Sequence, residues 1–263
     1  MKKKFDYHKL FSLTTFTFVI VFLYIPILLL IIYSFNDSKI VSGWKGFTFK
    51  YYIQLFRNDE ILTAFRNTIM IGVLSTLVST FLGVLSALAL ENKRFKGAQF
   101  FKGLYFVPLI MPDILMGVSL ALLFSFMKLK MGMWTVLAAH ITFCVSYTII
   151  VIQSRLDGFD YHLEEAAMDL GANKWQIFTK IKFPLMIPGI VAAALLAFTL
   201  SIDDFIITFF TSGRGFTTLP VYVESAIRRG TITTINALST IMIGFTLIIV
   251  IASKRIRKYI ISV

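Results

Sequence analysis

The sequence predicts an all-α integral membrane protein with six membrane-crossing helices, on three observations. Apolar residues come in long unbroken runs, charged residues make up 15% of the chain against about 25% in soluble domains, and Lys and Arg gather just outside the runs. With 57% hydrophobic residues and a mean hydropathy of +0.79, the 263 residues lack the polar surface that water demands. The net charge of +12 sits where cytoplasmic loops and anionic lipid headgroups hold it, which argues against a nucleic-acid footprint. The single cysteine, Cys144, lies inside an apolar run and excludes an intrachain disulfide or a CxxC metal site.

Taken in order, residues 1–9 read as a basic cytoplasmic tail and 10–35 as the first apolar run. That run is too long for the apolar part of a signal peptide, and no A-x-A cleavage pattern follows, so it reads as a retained span. Further spans are expected at 67–90, 103–127, 131–153, 185–212 and 230–253, each able to cross about 30 Å of hydrocarbon at about 1.5 Å per residue. Helices are required because lipid offers free backbone amides no partner. Residues 10–253 then form one six-helix domain, and 254–263 a second cytoplasmic tail.

Orientation follows from the basic residues. One side collects Lys2, Lys3, Lys4, Lys9, Lys93, Arg94, Lys96, Lys102, Arg155, Lys174, Lys180, Lys182, Lys254, Arg255, Arg257 and Lys258, 16 of the 26, and is therefore cytoplasmic; the other side holds 10. Both chain ends fall on the cytoplasmic side. Two outer segments, 36–66 with Trp44 and Tyr51 and 213–229, are long enough for structure of their own. They suit either anchoring at the outer interface or contact with a partner protein.

The loop between spans four and five, RLDGFDYHLEEAAMDLGANKWQIFTKIKFPL, is too long for a mere connection. Its first half predicts a helix, with Asp160 as cap, Glu164 and Glu165 in the early turns and Gly171 just past the end. A second short helix is expected from Asn173 towards Lys182, stopping before Pro184. Glu165, Ala166, Ala167, Gly171, Ile181 and Pro184 stand at the spacing E-A-A-x3-G-x9-I-x-L-P, with Phe183 in place of Leu. This loop resembles the EAA motif of ABC importer permeases. The resemblance implies a MetI-like permease fold in which residues 154–184 couple the spans to a separate ATPase. It also implies a second permease chain, a dimer of ATPase subunits and a soluble binding protein as partners. The chain has no GxxxxGK[ST] phosphate loop, so no cofactor is expected on it; ATP and Mg belong to the ATPase. No catalytic or metal-binding set is expected, and no nucleophile–base pair or ion-channel filter sequence argues for a membrane enzyme or a stand-alone channel.

Inside the spans the acidic residues are Asp113 in span three and Asp203 and Asp204 in span five; spans one, two and six carry no charge and span four only His140. A carboxylate in hydrocarbon costs about 2.5–3.5 kcal/mol or more, so such residues face a pathway or a partner. Successive helical residues point about 100° apart, so one of the Asp203–Asp204 pair faces inward and the other pairs with a neighbouring helix. Acids at staggered depths beside aromatic rings suit an elongated solute with several ammonium groups; the alternative is that they only hydrogen-bond between helices. His140 reads as a hydrogen bond between helices, since no second ligand stands at metal spacing. Pro26, Pro108 and Pro112 mark bends. Within the permease family the resemblance extends over nearly the whole chain to the spermidine/putrescine branch, through YIPILLLIIYSFNDS at 24–38, MPDI at 111–114, HITFC at 140–144, SRLDGFD at 154–160 and FTLSIDDF at 198–205. It implies Asp113, Ser201, Asp203 and Tyr51 as substrate-path positions, with Asp204 beside them and Trp44 and Glu224 on the outer side. An importer of another small solute is the alternative.

Overall fold

The computed structural model describes residues 7–38, 43–91, 97–230, 233–244 and 247, with side chains from Phe11 onward. The expected tails at 1–6 and 254–263, most of the basic residues placed there, and the loop lysines and arginine at 93, 94 and 96 lie outside the described residues, as does Lys39. In chain order the helices are α1 (Tyr7–Tyr33), α2 (Lys50–Phe56), α3 (Asp59–Glu91), α4 (Ala98–Ile110), α5 (Asp113–Phe126), α6 (Met133–Asp157), α7 (His162–Asp169), α8 (Lys174–Ile177), α9 (Phe183–Asp203), α10 (Ile206–Thr211) and α11 (Leu219–Arg228). A π turn, Phe178–Lys182, joins α8 to α9. Among the described residues there is no strand, and one isolated bridge pairs Asn36 with Phe47.

The chain divides into two compact units, residues 1–61 with 223–263, and residues 62–222. In the first, the apolar stretch of α1 from 11 to 29 is exposed along its length, as a helix meant for lipid or a partner is. After the C-terminal end of α1 the chain turns through a polar knot. Asn36 Nδ2 donates to the Gly43 carbonyl at 2.8 Å, the Lys45 amide donates to Asn36 Oδ1 at 2.8 Å, and Ser34 Oγ meets the Tyr52 hydroxyl at 2.6 Å. Phe35 stacks on Phe47 and Tyr52 at 5.3 and 5.0 Å, closing an aromatic cluster of the kind that sits at a membrane interface. α2 buries Tyr51 and Leu55, and Asn58 caps the start of α3 by accepting from the amides of Glu60 and Ile61.

In the second unit α6 is the central helix, buried over much of its length and packed against α4, α5, α9 and α10. Its clusters hold Phe143, Cys144 and Ala197 in one layer and Ile152, Leu156 and Met186 in another. Small residues let the helices approach, as membrane packing favours. A Cβ on Gly83 would run into Thr148, whose hydroxyl donates to the Ser79 carbonyl at 2.9 Å.

Among the described residues four helices are long and apolar enough to cross a membrane, Phe11–Tyr33, Asp59–Glu91, Met133–Asp157 and the run Lys174–Asp203; α4 and α5 pass the same test only as a pair, bent by 111°, which is either one broken span or a re-entrant loop. Span three is thus not the single helix expected at 103–127. The residue before a proline is driven out of the helical region, and Met111, before Pro112, sits at φ −72°, ψ 130°. Span five also departs from the expected 185–212: α9 ends at Asp203, and Asp204 is extended at ψ 121° before α10 begins. The sixth expected span, 230–253, is described only in part, with 233–244 helical.

Candidate functional site

Two sets of residues stand out, an elbow in the loop between the fourth and fifth expected spans and a group of carboxylates within the expected spans. The elbow starts where Asp160 Oδ1 accepts from the His162 amide at 3.0 Å, opening α7. It turns at Gly171, which takes φ +83°, a conformation glycine adopts without a Cβ penalty. The Gly171 amide donates to the Met168 carbonyl and the Ala172 amide to the Ala167 carbonyl, both at 2.9 Å, so α7 ends in a complete Schellman motif. Asn173 then opens α8 through a reciprocal box with Gln176, each bond 2.9 Å.

The expected stop before Pro184 does not occur. The Phe183 amide reaches back five residues to the Phe178 carbonyl, and this wider π turn carries the helix through Pro184 into α9. The physical reason is the π turn: the Phe183 amide bonds five residues back, and Pro184, directly after it at the start of α9, has no N–H to place. The elbow is therefore continuous with span five.

Of the motif residues, Glu165 and Ala166 are exposed on α7, Gly171 and Pro184 are exposed, and Ala167 and Ile181 are half-buried. Glu165 Oε2 lies 3.2 Å from His162 Nδ1. Leu170 is 89% exposed and Trp175 71%, with Met168 also open, giving the elbow an apolar tip that sequence reasoning did not single out. The available signal was three large apolar residues, Met168, Leu170 and Trp175, on either side of the glycine turn. Burial and then the neighbouring Glu91 carboxylate push the Tyr161 phenol above its ordinary value.

The carboxylates are sorted by the two helix breaks. Asp113 is exposed in the first turn of α5, where a negative charge complements the helix dipole. Asp203 is exposed at the last residue of α9. Neither has a hydrogen-bond or ion-pair partner among the described residues.

Asp204 is the member of the pair that bonds to a neighbouring helix. Its Oδ1 accepts from the Ile207 amide at 3.2 Å, and its Oδ2 accepts from the Thr208 amide and hydroxyl, both at 2.8 Å, which caps α10. His140 Nε2 lies 3.3 Å from Oδ2 and 2.8 Å from Thr208 Oγ1, while His140 Nδ1 lies 2.7 Å from Ser201 Oγ. Ser75 of α3 donates to Ser201 Oγ at 2.9 Å. The Thr208 hydroxyl proton is committed to Asp204, so His140 Nε2 is the donor to Thr208. Ser201 and Asp204 thus meet through His140 in one buried polar chain, with His140 fully buried. His140 is the interhelical bond expected of it; Ser75 and Thr208 are partners that their sequence positions did not reveal. Among the described residues no three His, Cys, Asp or Glu side chains converge as a metal site.

In the unit of residues 1–61 and 223–263, Tyr51 is buried and Trp44 is exposed, while Glu224 Oε1 accepts from Arg228 Nε at 2.8 Å.

The sequence matches the family described as "Binding-protein-dependent transport system inner membrane component" over residues 79–262. It is 40% identical over 242 residues, 92% of each chain, to the spermidine/putrescine transport system permease protein PotC of Escherichia coli (strain K12). It is 43% identical over 230 residues, 85% of this chain and 82% of the relative, to the putrescine transport system permease protein PotI of the same organism. Among solved structures, a bacterial ABC transporter involved in the import of the acidic polysaccharide alginate superposes with a TM-score of 0.77, covering 97% of this chain and 99% of that one. Their 18% identity makes this a likeness of fold.

Proposed function

The chain belongs to the family of binding-protein-dependent transport system inner membrane components, and from that membership we propose that it is the permease subunit of an ATP-driven importer of polyamines, spermidine and putrescine. It works as a multi-pass protein of the inner membrane. Its six helices take the MetI-like arrangement with both ends in the cytoplasm, counting the bent pair α4–α5 as one span and 230–253 as the last.

The elbow from α7 to the π turn seats on a separate ATPase, one of a pair, which binds the ATP and Mg that this chain has no loop to cradle. Leu170, Met168 and Trp175 offer the ATPase an apolar tip, with Glu165, Ala166 and Ala167 beside it. Since helix runs unbroken from Lys174 to Asp203, displacement at the elbow reaches the substrate path through one rod. A second permease chain completes the path, and a soluble polyamine-binding protein delivers to the outer side, near Trp44 and Glu224.

The observation that carries the choice of solute is the pair of carboxylates, Asp113 and Asp203, that stand at helix breaks inside apolar spans with no partner among the described residues. Ammonium groups joined by methylenes satisfy such acids one after another. Ser201 and Asp204 serve the path by fixing the break beside Asp203. The test is uptake of labelled spermidine by the assembled complex in vesicles, with and without internal ATP. Uptake that ignores ATP, or that is outcompeted by an unrelated solute and not by putrescine, overturns the reading.

A further inference from the structure

Lys182 closes the π turn, and its side chain is 15% exposed. Its Nζ lies 2.6 Å from Glu91 Oε1 and 3.1 Å from Glu164 Oε1, whose side chains are 13% and 24% exposed. The Phe159 ring stands 5.7 Å from the ammonium, and the Tyr161 hydroxyl donates to Glu91 Oε1 at 3.4 Å. None of these residues is a fixed position of the EAA pattern, and the three charged ones come from different elements: Glu91 from the end of α3, Glu164 from the start of α7 and Lys182 from the π turn at the root of α9.

Glu91 is the residue that needs explaining. It occupies the last turn of α3, where the helix dipole disfavours negative charge, and no basic residue of that turn offsets it. It is also largely covered, which disfavours it again. Glu164, in the first turn of α7, is by contrast well placed. A carboxylate kept where both terms oppose it is held by what it binds, and here that is Lys182.

We propose that Lys182 is a positioning residue that ties α3 to the coupling elbow, so that α3, α7 and the root of α9 move as one body when the ATPase pulls. Along the chain, α7 is connected to α6 on one side and through α8 to α9 on the other. The ion-paired tie adds a link to a helix the elbow does not adjoin in sequence. Without it the elbow still seats on the ATPase and hydrolysis continues, but α3 does not follow.

This rests on the reading of the elbow as the coupling device, and the experiment separates the two. In vesicles holding the full complex, Lys182→Met is expected to assemble and hydrolyse ATP while spermidine moved per ATP falls about tenfold, a coupling loss of ordinary size. Lys182→Arg, which keeps the charge, restores the ratio. A wild-type ratio in Lys182→Met overturns the tie. Should Lys182→Met fail to assemble, Glu91→Gln is read instead, since it leaves the Lys182–Glu164 pair intact. The second readout needs no cargo: spin labels at Ala89→Cys on α3 and Asp169→Cys on α7, in a Cys144→Ser background. Their separation stays constant between nucleotide-free and ATP-bound complex, and changes once Glu91→Gln is added. A separation that already changes in the otherwise wild-type complex overturns the proposal even if no polyamine is transported.

Discussion

Asp203 and Asp204 are neighbours with opposite situations, one open and unpartnered, the other accepting three hydrogen bonds and facing His140. The difference predicts a split between transport and stability. Asp203→Asn removes a charge that nothing in the described structure uses, so the complex keeps its melting temperature. Uptake of labelled spermidine falls about tenfold, the equivalent of about 1.4 kcal/mol for one ammonium contact. Asp204→Ala strips the cap from α10, worth about 1–2 kcal/mol, and leaves the Thr208 hydroxyl and the Ile207 and Thr208 amides without their acceptor. Its first effect is a lower melting temperature of the purified complex; unchanged melting would mean that the buried chain does not hold the break. Sequence alone gave that one of the two acids pairs with another helix, because 100° per residue forbids both facing inward. Which one it is depended on the extended backbone at Asp204, and that conformation is set by side-chain bonds to residues three and four places on.

At the scale of elements, the local stop signals were legible and the tertiary ones were not. Gly171 and Asn173 act as read, because a C′ glycine and an N-cap asparagine work within one turn of their own helix. Pro184 was read as a stop because proline ends a helix whose amide bonds run four residues back. The five-residue reach of Phe183 to Phe178 lets the chain continue, and no spacing in the loop announced it. Two tests follow. Gly171→Pro cannot take φ +83° and also deletes the amide that bonds to Met168, so ATP hydrolysis should no longer rise with substrate in the assembled complex; normal stimulation would count against the elbow. Pro112→Ala frees Met111 to return to helical backbone and lets α4 and α5 straighten, moving Asp113 off the break. Spermidine uptake should fall although no acid has been changed, and a wild-type rate would show that the 111° bend is not what places Asp113.

For the whole molecule the deciding quantity is parity. Among the described residues four helices and, where it crosses, the bent pair give up to five crossings, and an odd number leaves the two ends on opposite sides. The sixth crossing rests on 230–253, of which the helical residues 233–244 cover only about 18 Å at about 1.5 Å per residue, short of the roughly 30 Å of a bilayer core. Charge distribution supplies what the described helix does not: Lys254, Arg255, Arg257 and Lys258 follow the run, as they do where a chain is held on the cytoplasmic side. The elbow must lie on that same side to meet an ATPase. In a Cys144→Ser background, Leu170→Cys should therefore react with a membrane-impermeant thiol reagent only in inside-out vesicles, and Trp44→Cys only in right-side-out ones. Both positions are exposed in the structure, so in vesicles that hold this chain without the ATPase and the binding protein lack of reaction reports sidedness and not burial. A protease-sensitive tag placed after Val263 should be cut in the inside-out preparation, together with labelling at Leu170→Cys. With Leu170→Cys labelled only in inside-out vesicles, cleavage in the right-side-out preparation would leave a single crossing after the elbow and so 230–253 uncrossed, while reaction at Leu170→Cys from that side would remove the elbow from the reach of ATP altogether.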